Sequence, residues 1–110
     1  YEQVIQDIRN AKRVLLPGGA IVMHDCRPLT EEYGTNPFLN GTVWKAICEI
    51  RSESGWSLCT LNDDHGVGVL MDGYMEALPI SKNISYQEFS VNMPQILNLM
   101  DESDFKNFFK

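Results

Sequence analysis

Residues 15–25 read LLPGGAIVMHD. Pro17, Gly18 and Gly19 form a turn signal, Ala20 to Met23 is a short unbroken apolar run, and the polar residues His24 and Asp25 close it. A brief apolar run bounded by turn residues is the pattern of a strand buried on both faces, as in parallel sheets. Upstream, Val4, Ile5, Ile8, Ala11 and Leu15 recur at three- and four-residue steps. That spacing predicts an amphipathic helix from about Glu2 to Val14, stopped by the turn. Helix, tight turn and buried strand make half of a βαβ unit.

Downstream, Arg27 to Gly41 contains Pro28, Gly34, Pro37 and Gly41 without an apolar period, which reads as a long loop of the kind that usually serves function or moves. Thr42 can cap a second helix whose buried face is Val43, Trp44, Ile47, Cys48 and Ile50, ending near Gly55 and covering a sheet face. Trp56–Leu61 and Val67–Met71 are strand-like and separated by Asn62-Asp63-Asp64-His65-Gly66, which predicts an antiparallel edge pair. Ser85 with Glu88 is a capping-box signature ahead of Phe89, and Asp101 can cap a last short helix carrying Phe105, Phe108 and Phe109. The expected class is therefore α/β, with three strands (one buried parallel strand plus an antiparallel edge pair) and flanking helices.

The chain has 110 residues, enough for one domain or less. Its 44% hydrophobic and 22% charged content is that of an ordinary globular chain. Nine Lys and Arg against fifteen Asp and Glu give a net charge of −6, which repels phosphate backbones and anionic headgroups and argues against nucleic acid or membrane as partner. The longest apolar runs, Ala20–Met23 and Val67–Met71, fall far short of the roughly 20 residues a bilayer requires. The chain opens at Tyr1 with no leader-like segment, so a fragment of a longer protein is expected. Cys26, Cys48 and Cys59 are odd in number and lack close metal-type spacing, which favours free thiols in a reducing, cytoplasmic setting.

His24 and Asp25 sit where a buried strand should end, and carboxyl ends of strands in α/β sheets are where ligands gather. Asp25 could bind a divalent cation such as Mg²⁺, with His24 as a second ligand or as the base that takes a proton from a substrate hydroxyl. Two residues cannot enclose a metal, so further ligands must come from elsewhere. Against this stands a structural role, Asp25 capping a turn and His24 bonding a neighbouring loop. His65, between strands beside Asp63 and Asp64, reads as a solvated turn residue. Gly66, Gly68 and Gly73 flank and interrupt a strand, so close packing or a bulge explains them better than a phosphate loop does. Cys26 has no evident base to activate it and reads as an inert thiol. Trp44 and Lys45 read as a core anchor and its solvated neighbour. The late phenylalanines read as core, or as a contact with another half or a second copy.

Leu15 to Asp25 resembles the segment of class I S-adenosylmethionine-dependent methyltransferases that leads from the helix after the fourth strand into the fifth strand. YEQVIQDI at 1–8, HDCRPLTEE at 24–32 and GTVWKAI at 41–47 keep it company, and together they resemble one bacterial, metal-dependent O-methyltransferase-like branch. DDHGVGVL at 63–70 looks like the approach to the final strand, and ILNLMDESDF at 96–105 is similar to the C-terminal tail. The resemblance covers essentially the whole chain and implies a single partial domain over residues 1–110, the C-terminal half of a Rossmann-like sheet. The glycine-rich first loop, the acidic end of a second strand and the fourth-strand Asp-Gly-x-His pattern, which would hold S-adenosylmethionine, have no counterpart in the sequence. By this resemblance Asp25 would be the metal-side carboxylate and His24 a second ligand or the base, with Mg²⁺ and S-adenosylmethionine belonging to the full-length parent.

The residues support two functional expectations. One is a segment of an O-methyltransferase acting on a small hydroxylated or glycan acceptor, inactive by itself. The other is a non-catalytic α/β assembly module. Either way the edge of the strand near Ile21 should be open, so a homo-oligomer pairing through that edge is expected.

Overall fold

The computed structural model describes residues 2–16, 18–24, 26–28, 30–32, 43–62, 66–81 and 83–108. Among the described residues the elements run in order: α1 (Glu2–Val14), β1 (Ile21–Met23), α2 (Val43–Arg51), β2 (Trp56–Leu61), β3 (Val67–Asp72), α3 (Tyr86–Leu97), β4 (Leu99–Met100) and α4 (Glu102–Phe108). The class is α/β, as expected, but the sheet has four strands in the order β1-β3-β2-β4.

Local chemistry accounts for the element ends. Glu2 in the first turn of α1 and Lys12 and Arg13 in its last complement the helix dipole. The chain then turns back through Gly19, whose N–H donates to the Leu16 carbonyl at 2.8 Å. A Cβ on Gly19 would stand 2.9 Å from that same oxygen, so the turn admits no side chain there. Ser85 caps α3 by accepting from the Glu88 N–H at 3.1 Å, and Asp101 accepts from the Asp104 N–H at 2.8 Å to start α4. Asn98 ends α3 in the left-handed region with φ of 50°. Its side-chain amide donates to the Leu58 carbonyl at 2.8 Å and its own carbonyl accepts from the Thr60 N–H at 3.1 Å. That exchange docks the short β4 parallel to β2, with Thr60 opposite Leu99 and Leu61 opposite Met100. The sequence pattern predicts no strand there, because two residues carry no period.

The hairpin of β2 and β3 pairs antiparallel as expected, with Leu58 opposite Leu70 and Thr60 opposite Gly68, but it is not an edge pair: β1 flanks β3 and β4 flanks β2, so both hairpin strands lie inside the sheet. The first strand departs from expectation. β1 pairs antiparallel with β3, Ile21 opposite Leu70 and Met23 opposite Gly68, and has no parallel neighbour among the described residues. Nor is it buried on both sides, since Val22 is 59% exposed. Ile21 and Met23 face the helical layer and pack against the core, whereas Val22 points to the opposite face. Because β1 and β2 both run opposite to β3, they run parallel to each other with β3 between them. The connection from β1 through α2 to β2 is therefore a βαβ crossover split by one inserted strand.

The core lies between the sheet face of Trp56, Leu58 and Leu70 and the inner sides of α1, α2 and α3. Trp44 is its centre at 1% exposure, with Phe89 at 4.8 Å between ring centroids and Tyr86 edge-on at 5.8 Å. Lys45 sits beside it, its ammonium 5.6 Å from the Trp44 ring. Arg51, 6% exposed, ties the end of α2 to its surroundings: Nε donates to the Ile96 carbonyl at 2.9 Å and Nη1 to the Glu76 carbonyl at 3.2 Å. α4 leans on β2 and β4, and Phe105 lies near Leu61 at the sheet end. The expectation for Thr42 and Phe109 falls outside the described residues. No described helix is long and apolar enough to cross a membrane.

Candidate functional site at the carboxyl end of β1

β1 delivers the chain to His24, which is exposed and lines an open groove of about 390 Å³ with Val4, Ile8, Ala11, Ile21, Val22 and Val43. The groove runs between α1 and β1, and its lining is apolar except for His24 and Asp7. Asp25 lies outside the described residues, as do His65, Asp63, Asp64 and most of the Arg27–Gly41 loop.

The chain just past Asp25 is held closely. Cys26 is fully buried. Its N–H donates to the Gly66 carbonyl at 3.2 Å, and its thiol donates to the Met23 carbonyl at 3.6 Å. A Cβ placed on Gly68 would come within 2.8 Å of Cys26 Sγ. The glycine at 68 thus makes a notch in β3 that the thiol occupies, which is the close packing expected of this strand's glycines. Gly66 has φ of +85°, and a Cβ there would meet Arg27 Cβ at 2.7 Å, so this turn needs glycine on both counts.

Two residues on, Pro28 is fully buried and its carbonyl accepts from the Tyr86 hydroxyl at 3.0 Å. Burial pushes the Tyr86 phenol up from its ordinary value; Arg27 opposes this and Glu31 adds to it. The hydroxyl therefore remains a donor across the neutral range. Tyr86 has no signal in the sequence beyond its place after the Ser85 cap, because nothing local links it to a residue 58 positions away.

Beneath the notch lies Thr60, fully buried in β2. Its Oγ1 is the one buried side-chain polar atom among the described residues without a partner. It would stand 3.7 Å from a Cβ on Gly68. Cys26, Cys48 and Cys59 are all buried as thiols. Desolvation drives the Cys48 thiol up to about 12 and the Cys59 thiol up to about 11, so neither is a nucleophile at neutral pH.

Among the described residues no three His, Cys, Asp or Glu side chains converge on a metal-sized space. His24 supplies a single imidazole, whereas Mg²⁺ takes about six ligands, mostly oxygen. The described residues do not by themselves hold that cation. Gly66 and Gly73 flank β3 and Gly68 lies within it, so these glycines do not form a strand-to-helix phosphate loop. Comparison with protein-family models, with curated proteins and with solved structures gives no match.

Proposed function

We propose that this chain is the acceptor-side, C-terminal half of a class I S-adenosylmethionine-dependent methyltransferase that modifies a hydroxyl of a small or glycan acceptor. The observation that carries the reading is the direction and order of β1, β3 and β2. β1 and β2 run parallel around an antiparallel β3, and the outer edge of β1 has no described neighbour. An α/β sheet would continue from that edge with further parallel strands, and its ligands would lie at the carboxyl end of β1. The groove lined by Val22 and His24 is where such a continuation would pack.

Methyl transfer is an in-line displacement at the carbon of a sulfonium, so the protein's part is alignment and removal of the acceptor proton. His24, exposed and lining the groove, is the group assigned to take that proton. Asp25 is assigned to the metal side of the parent site. S-adenosylmethionine supplies the methyl group there, and both it and Mg²⁺ need residues beyond those described.

The reading is tested in the full-length parent by Asp25→Asn, for which methyl transfer should fall by roughly 10² or more. Unchanged turnover would return Asp25 to a structural role. For this chain alone, calorimetric titration with S-adenosylhomocysteine, with and without Mg²⁺, should show no heat of binding. Saturable binding near micromolar Kd, about −8 kcal/mol, would contradict the assignment of the donor site to another half.

The open edge of β1 also favours a second reading, a non-catalytic module that pairs through that edge with a second copy. Sedimentation tests the pairing: a dimer is expected under either reading, and a monomer at every concentration would count against it. An upstream glycine-rich strand–loop–helix in the natural reading frame discriminates the enzyme from the module.

A further inference from the structure

The segment that carries His24 and Asp25 is fastened on both sides by residues remote in sequence. Before it, β1 is laddered to β3. After it, Cys26 is bonded to Gly66 and lodged over Gly68, and Pro28 is buried with its carbonyl on Tyr86.

We propose that Tyr86 is a positioning residue for this segment: its hydroxyl, held on the first turn of α3, sets where His24 and residues 26–28 lie at the end of β1. The proposal rests on the reading of β1's carboxyl end as the reactive site. Three observations carry it. The ring contacts of Tyr86, edge-on to Trp44 at 5.8 Å and tilted to Phe89 at 6.1 Å, are ones a phenylalanine would make equally well, so packing does not account for the hydroxyl. The acceptor is the carbonyl of a buried proline, a group that must find a donor and whose direction is limited by the fixed φ of its ring. The anchor stands on a capped helix start, where Ser85 Oγ accepts from the Glu88 N–H at 3.1 Å. In chemistry that depends on in-line alignment, displacement of a reacting group by about 1 Å can cost on the order of 10²-fold. A tether three residues from Asp25 therefore bears on rate as well as on stability.

Amide hydrogen exchange on this chain tests the proposal, with Tyr86→Phe removing only the hydroxyl. The Cys26 amide, bonded to Gly66, should exchange roughly 5- to 10-fold faster, the effect of losing one ordinary hydrogen bond. The Thr60 and Met75 amides, bonded to Asn98 and Trp56, should keep their rates. Para-aminophenylalanine at position 86, which restores a donor on the same ring, should return the Cys26 amide to its original rate. An unchanged Cys26 amide in Tyr86→Phe would overturn the proposal, and so would equal acceleration of all three amides, which would mean a loss of global stability only. The measurement needs no cofactor or acceptor, so it stands or falls independently of methyl transfer in the parent.

Discussion

Gly68→Ala should be costly, and Cys26→Ala should undo most of the cost. An alanine Cβ at position 68 would lie 2.8 Å from Cys26 Sγ, with Met23 Cε and Thr60 Oγ1 both at 3.7 Å. The latter two are ordinary contacts. The sulfur must retreat by roughly 0.7 Å or more to reach normal separation, and it is fully buried with its own N–H on Gly66. Overpacking of this kind costs about 1–3 kcal/mol, partly offset by the lower unfolded-state entropy of alanine, about 0.4–1 kcal/mol. Cys26→Ala alone leaves a small void and should cost about 1–2 kcal/mol. In the double variant the new methyl takes the space the sulfur vacated, so the combined loss should stay below about 1 kcal/mol. Urea unfolding at constant m-value measures the four corners of this cycle. Additivity within about 0.5 kcal/mol would show that Gly68 and Cys26 do not share one space, and would refute the notch.

Arg51→Ala should destabilise by about 2–4 kcal/mol, because it leaves the buried carbonyl of Ile96 and the partly buried carbonyl of Glu76 without their charged donor; a loss under about 1 kcal/mol in thermal unfolding would show that solvent replaces it. Thr60→Val keeps the shape and removes the unpartnered hydroxyl, so stability should hold or rise by about 1 kcal/mol, and a clear loss would reveal a partner for Oγ1. The Cys48 and Cys59 thiols stay protonated in the fold far above their ordinary value near 9. The unfolded chain therefore releases these protons first, and stability should be fully present below about pH 9 and fall as pH rises toward 11, by up to about 1.4 kcal/mol per pH unit per thiol. Cys48→Ala should flatten that slope in pH-dependent urea melts; an unaltered slope would remove burial of this thiol as the cause. In the native state at pH 8, Ellman's reagent should find no reactive thiol, and prompt release of colour would contradict the burial of all three.

Much of the fold is legible in one dimension because its causes are local. The apolar steps of α1, the Ser85–Glu88 cap, the paired strands around residues 62–66 and the glycine stop after residue 16 each depend on neighbours within a few positions, and each element lies where those patterns put it. The candidate site is legible as far as His24 at the end of a strand. The status of that strand is not. Its unbroken apolar run says that each side chain favours contact over water, and only the tertiary arrangement shows that Ile21 and Met23 have found it while Val22 remains 59% exposed. Strand direction is likewise invisible to composition, because hydrogen bonding to β3 is settled by how α2 returns the chain. Tyr86 on Pro28, Arg51 on Ile96 and Glu76, and Cys26 over Gly68 join residues 25 to 58 positions apart. A sequence determines the preferences of each segment. Which carbonyl meets which donor, and which glycine receives which side chain, is decided when the segments are packed together and every buried polar group must find a partner.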